Sequence, residues 1–151
     1  MVTGSEAKIT LREITEETVR SVLQLKASKD QKIFVASNAV SIAQAHFSKN
    51  AWFRAIYAND TPVGFVMLYV DEDKPEYDVW RFMVDKDHQG KGYGREAMLQ
   101  TIDHVRGLLG AKELYLSYVP GEGNPAPFYR KFGFNETGEW DDDEKVMKLT
   151  L

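Results

Sequence analysis

Val84-Asp85-Lys86-Asp87-His88-Gln89-Gly90-Lys91-Gly92-Tyr93-Gly94 joins an apolar run to an amphipathic one. Upstream, Val79 to Val84 reads as a strand. Downstream, Met98, Ile102, Val105 and Leu109 fall at i, i+4, i+7 and i+11, the spacing of one helical face. Glycines at positions 90, 92 and 94 let the backbone turn sharply and approach a ligand closely. The loop opens a helix, so its free N–H groups and the positive end of the dipole point the same way. That makes an anion site suited to a pyrophosphate. Lys91 and Arg95 add charge. The spacing is G-x-G-x-G, not the G-x-G-x-x-G of dinucleotide loops, and Lys91 precedes Gly92 rather than the Ser or Thr of a Walker A loop. Taken alone, the pattern also fits a plain glycine-rich turn.

Outward from the loop the chain alternates strands and helices. Ile9 to Arg12 reads as a first strand. Thr15 is a candidate cap for a helix with Val19, Val22, Leu23 and Lys26 on one face. A second short helix is expected near Ser41, with Ile42, Ala45 and His46 at helical spacing. Trp52 to Ala58 reads as a strand, Asn59-Asp60-Thr61-Pro62 as a turn, and the nearly all-apolar Val63 to Val70 as a buried central strand. After the long helix, Gly110 is the expected stop. Leu114 to Val119 is another strand, and Pro125 to Lys131 a short helix ended by Gly133. Phe134 and Val146 to Leu151 finish the sheet. The order predicts a mixed α/β layer in which the glycine loop joins a strand to a helix.

The bulk properties narrow the function. A chain of 151 residues, without internal repeat or composition break, suits one domain over 1–151. Hydrophobic residues at 43% and charged residues at 28% fit a globular protein with a real core. No apolar run reaches the length of a membrane span, and Met1 to Glu6 lacks the pattern of a signal peptide. There is no cysteine, which excludes disulfides, a thiol nucleophile and a thiolate zinc site and fits a cytoplasmic protein. His46, His88 and His104 do not make a metal spacing, so no metal is expected. The net charge of −4 argues against nucleic-acid binding. Acidic residues cluster at Asp71 to Asp78 and at Glu139 to Glu144, runs that read as solvated loops. Basic Arg81, Lys86, Lys91 and Arg95 lie between them.

The loop resembles the coenzyme A loop of the GNAT acetyltransferase superfamily: Gln89, Gly92 and Gly94 satisfy its pattern of Arg or Gln, two residues, Gly, one residue, then Gly or Ala. Asn124-Pro125-Ala126-Pro127-Phe128-Tyr129-Arg130-Lys131-Phe132-Gly133-Phe134 resembles the second signature of that family. The resemblance implies an α+β fold with a mixed, mostly antiparallel sheet, splayed at its central strands and flanked by helices. It implies acetyl-coenzyme A as co-substrate, with the pantetheine arm along Phe82, Met83 and Val84. The pyrophosphate would sit on the amides of Gln89, Gly90, Lys91, Gly92, Tyr93 and Gly94, beside Arg95. Asn124, Pro127, Phe128 and Lys131 would flank the other side. It also allows a homodimer, because many members pair through their C-terminal strands, although nothing in Val146 to Leu151 requires one.

Acetyl transfer from a thioester to an amine needs a neutral amine, a polarised carbonyl and a stabilised leaving thiolate. A phenol of pKa about 10 can protonate the thiolate of a thiol of pKa about 8.5. Tyr129 matches the family tyrosine given that role. Backbone N–H groups near Met83 and Val84 would polarise the carbonyl. An alkylamine of pKa about 10.4 costs roughly 4 to 5 kcal/mol to deprotonate at neutral pH, so a base is wanted. Many relatives carry a Glu on the strand before the loop. Trp80, followed by Arg81, stands there instead, leaving Glu72 or Asp78 acting through water and the base unassigned. For the acceptor, the acidic run and the aromatic faces of Trp80, Tyr69 and Tyr77 suit an alkylammonium. Glu72, Tyr77, Asp78 and Trp80 are thus the candidate substrate contacts. Phe34 to Ala45, with Trp80-Arg81-Phe82-Met83, resembles the bacterial spermine/spermidine acetyltransferases, which implies a polyamine acceptor. A protein N-terminus, a lysine or another small amine remains an alternative, as does a non-catalytic coenzyme A sensor.

Overall fold

A computed structural model of the chain describes residues 7–28 and 36–151. Phe34 and Val35 of the quoted acetyltransferase-like segment lie outside those residues, as does the Met1 to Glu6 stretch. Four helices and seven strands follow in the order β1 (Ile9–Arg12), α1 (Val19–Leu23), α2 (Asn38–His46), β2 (Ala51–Ala58), β3 (Thr61–Asp71), β4 (Glu76–Val84), α3 (Tyr93–Arg106), β5 (Glu113–Tyr118), α4 (Ala126–Arg130), β6 (Asn135–Asp141) and β7 (Glu144–Thr150). One sheet holds all seven strands in the order β1-β2-β3-β4-β5-β7-β6. Every neighbouring pair is antiparallel except β4 and β5, which α3 connects in parallel.

The parallel pair is barely a pair. Only Asp78 with Tyr115 and Val79 with Leu116 are in register. On its other edge β4 follows β3 as far as Val84, but Trp80 has no partner there: Arg81 opposes Met67 and Val79 opposes Leu68. That extra residue is a bulge, which bends its strand. Beyond Val79 the two strands therefore diverge and leave a wedge in the middle of the sheet. This is the mostly antiparallel, splayed sheet that the sequence led us to expect.

The core lies mainly on the α3 face. Ala97, Met98, Thr101, Ile102 and Val105 of α3 are buried against Val66, Leu68, Tyr77, Val79, Leu116 and Met147. Each large apolar side chain so buried contributes about 1.5 to 3 kcal/mol. On the opposite face, Val22 and Ala45 of the short helices cover Phe65, Met67 and Met83. Asn38 ties those helices together, donating from Nδ2 to the Val22 carbonyl at 2.9 Å.

Several local expectations shift. Thr18, not Thr15, precedes α1; the Thr15 carbonyl instead accepts from the Thr18 and Val19 amides in a turn. Helix α2 starts at Asn38, before Ser41, because Ser37 caps it and accepts from the Val40 amide. Thr61 and Pro62 already belong to β3, leaving Asn59 and Asp60 as the turn, with Asn59 at φ 53°. Helix α3 ends at Arg106, capped by Gly107 and short of Gly110, and Leu109 is exposed. The edge strand β6 was not foreseen. Its residues are almost all exposed, so no apolar alternation marks it, and it exists through its ladder to β7.

Candidate functional site

The wedge between β4 and β5 opens into a cavity of about 1060 Å³. Trp80, Arg81, Phe82, Met83 and Val84 form one wall, and Leu116, Ser117, Tyr118 and Val119 the other. Among the described residues the backbone edge of β4 after Val79 has no strand partner on this side, so its N–H and C=O groups are available to an extended ligand. The glycine loop closes one end. Gly90 and Gly92 have φ of 76° and 81°, a region that only glycine enters readily. Gly94 is small for a different reason: a Cβ there would lie 3.2 Å from the Val84 side chain and 3.6 Å from the Phe128 ring. The loop thus presses the first turn of α3 against Val84 of β4 and Phe128 of α4. The first amide of α3 to bond backward is that of Glu96, onto the Gly92 carbonyl. Among the described residues, the amides of Tyr93, Gly94 and Arg95 are left for an anion, at the positive end of a 14-residue helix.

A buried carboxylate fixes this end. Asp85 is 6% exposed and accepts from the Lys26 amide at 2.8 Å and from the Asp87 amide at 3.3 Å. Burial works to raise its pKa, but these bonds and the His88 contact outweigh it and hold the carboxyl below its usual value.

Helix α4 supplies the far side. Asn124 organises its start, its Oδ1 accepting from the Ala126 amide at 2.9 Å. Asn124, Pro127, Phe128 and Lys131 all line the cavity, and the Phe128 ring stacks on Phe82 with centroids 5.9 Å apart. Tyr129 also lines it, although only 8% of its surface is exposed. Burial pushes its phenol up to about 12. Among the described residues nothing hydrogen-bonds the Tyr129 hydroxyl, leaving a protonated phenol with a free O–H at the cavity wall.

Most residues singled out from the sequence therefore converge. Gln89, Gly90, Gly92, Tyr93, Gly94 and Arg95 line the same space. Lys91 does not; its ammonium lies 6.0 Å from the Tyr93 ring centroid. The acceptor candidates divide, because Trp80 faces the cavity and the others do not. Tyr77 is 1% exposed in the α3 core, and its hydroxyl donates to the Leu109 carbonyl. Glu72 is on the surface and accepts from the Leu109 amide at 3.0 Å. Tyr69 accepts from Asn50 Nδ2 at 3.1 Å. Asp78 lies at the closed end of the wedge, paired with Tyr115, where burial, helped by Glu76 and Asp141, raises its pKa to about 6. The reason is geometric: the Asp71 to Glu76 turn begins β4, whereas the glycine loop follows its end, roughly 25 Å away at 3.3 Å per residue. The residue that sequence reasoning missed is Glu144, at the start of β7 on the cavity wall. Its only sequence signal was membership of an acidic run.

Residues 16–134 match the acetyltransferase (GNAT) family, and the chain belongs to that family. It is 32% identical over 153 residues, 95% of this chain and 99% of the relative, to a spermine/spermidine N(1)-acetyltransferase of Bacillus subtilis. A GNAT acetyltransferase from Elizabethkingia anophelis, solved with acetyl-CoA bound, superposes with a TM-score of 0.67 at 17% identity over 95% of this chain and 98% of that one. The spermidine/spermine N-acetyltransferase of Vibrio cholerae, solved with manganese ions, superposes with a TM-score of 0.69 at 17% identity over 98% of this chain and 95% of that one.

Proposed function

We propose that this acetyltransferase moves the acetyl group of acetyl-coenzyme A onto a primary amine of a polyamine such as spermine or spermidine. The observation that carries the reading is the 32% identity, over 95% of the chain, to the Bacillus spermine/spermidine enzyme. The cavity supports it. Its glycine loop and α3 amides suit a pyrophosphate, with Arg95 and Lys131 on the wall and Lys91 nearby to add charge. The free edge of Phe82, Met83 and Val84 suits the amide-bearing pantetheine arm. Backbone N–H groups there polarise the thioester carbonyl, and Tyr129 gives its proton to the departing sulfur. Trp80 offers an aromatic face to the acceptor cation.

The test is a thiol-release assay with acetyl-coenzyme A against spermine, spermidine, putrescine, an aminoglycoside, free amino acids and short peptides. Preference for the polyamines is the expected result. Turnover confined to peptides or another amine overturns the polyamine assignment, and silence across the panel favours a coenzyme A sensor.

A further inference from the structure

The base that frees the acceptor amine has no occupant at the family position, where Trp80 stands. The cavity wall narrows the choice. Among the described residues, Glu144 is the only carboxylate on it. Strand β7 runs antiparallel to β5 with Ser117 opposite Val146 and Tyr118 opposite Lys145. By the alternation of strands, Glu144 and Val146 share a face with Ser117 and Val119. Met147 and Leu116 take the other face and pack into the α3 core. Glu144 thus looks into the wedge on the side away from α3.

Its surroundings leave it available. The Ser117 hydroxyl on β5 sits beside it on the same face, and the Arg81 guanidinium of β4 lies across the wedge. Arg81 is held back by other partners: its Nη1 donates to the Trp80 carbonyl at 2.8 Å and its Nη2 to Gln44 Oε1 at 3.1 Å. It makes no ion pair with Glu144 within 4.0 Å. The β6–β7 turn brings Asp141 and Asp143 up behind.

We propose that Glu144 receives the acceptor ammonium and takes its proton. The proposal rests on the reading of this cavity as an amine acetylation site. A Glu144 oxygen accepts one proton from the ammonium, and the freed lone pair forms the C–N bond at the thioester carbonyl. Collapse of that adduct breaks the C–S bond. The sulfur leaves with the proton of Tyr129, which regains one from the newly acylated nitrogen. Glu144 then releases its proton to solvent, so the products are the amide, the thiol and one proton. Burial raises the Glu144 carboxyl above its usual value; Asp141 and Asp143 push the same way, while Arg81 and Ser117 pull against them. The upward shift moves it toward the working pH, as a general base requires. The same carboxylates attract a cation.

The experiment compares wild type with Glu144→Gln and Glu144→Asp on the best amine of the panel and on an O-alkylhydroxylamine, an acceptor already unprotonated at neutral pH. In E144Q, kcat/KM for the amine should fall about 100-fold at neutral pH. The deficit should shrink as the pH climbs toward the amine pKa of about 10. On the O-alkylhydroxylamine the loss should stay under about three-fold, with E144D recovering part of the amine activity and acetyl-coenzyme A affinity unchanged by calorimetry. Equal losses on both acceptors, an amine loss under about three-fold, or loss of acetyl-coenzyme A binding overturns the proposal. A wild type active on another amine but on no polyamine defeats the substrate reading alone, and the same comparison on that amine still decides Glu144.

Discussion

His88 Nδ1 lies 3.0 Å from Asp85 Oδ2, and that contact ties the glycine loop to the carboxylate that anchors it. The other Asp85 oxygen takes the Lys26 amide, and the Lys86 amide donates to the Lys26 carbonyl at 2.8 Å. One buried carboxylate therefore fastens the chain leaving α1 to the chain entering the loop.

Asp85→Ala should cost about 1 to 3 kcal/mol in urea denaturation, because it strands the part-buried amides of Lys26 and Asp87. The sign with pH is definite. A folded-state pKa below the usual value means the stabilisation is complete above the unfolded value of about 4 and is lost as the pH falls through the folded one. The difference between wild type and variant should accordingly be full at neutrality and shrink in acid. A constant difference would show that the charge plays no part.

Tyr129→Phe removes the free O–H from the wall and little else. We expect kcat to drop about 100-fold with acetyl-coenzyme A binding intact. Since burial pushes the phenol up to about 12, no decline in the wild-type rate across the neutral range should trace to this residue. Full activity in the variant would remove Tyr129 from the reaction.

Gly92→Ala probes the loop. A Cβ at Gly92 meets none of the described residues within 4 Å, so the penalty is the backbone at φ 81°. Thermal unfolding should report a loss of about 1 kcal/mol, and KM for acetyl-coenzyme A should rise as the α3 amides tilt. An unchanged KM would detach the loop from cofactor binding.

Tyr77→Phe and Glu72→Ala test the acceptor residues that the fold turned elsewhere. Tyr77→Phe should cost about 1 kcal/mol through its bond to the Leu109 carbonyl. Steady-state kinetics should find the amine KM within about two-fold of wild type for both, since neither lines the cavity. A large rise in either variant would return the acidic β3–β4 turn to the acceptor site.

What could be read from the sequence follows the range of the interactions involved. The glycine loop and α3 were legible because positive φ and the i, i+4 period are properties of neighbouring residues. The sheet edge was not, since an exposed strand such as β6 carries no apolar alternation and is made by its partner. Tyr77 misled for a related reason. Its aromatic ring looks the same in the sequence whether it meets a ligand or fills the core, and the pleat of β4 sends it to α3.

The sequence alone settled the loop, the helix behind it and the tyrosine-bearing second signature, each encoded in a contiguous stretch. Only the tertiary structure decided which carboxylate reaches the wedge. The unpaired Trp80 bends β4 away from β5, and β7 inserts between β5 and β6, carrying Glu144 to the opening. Both outcomes depend on hydrogen bonds between strands far apart in the chain, whose register is set by which faces can be buried together and not by any local run of residues.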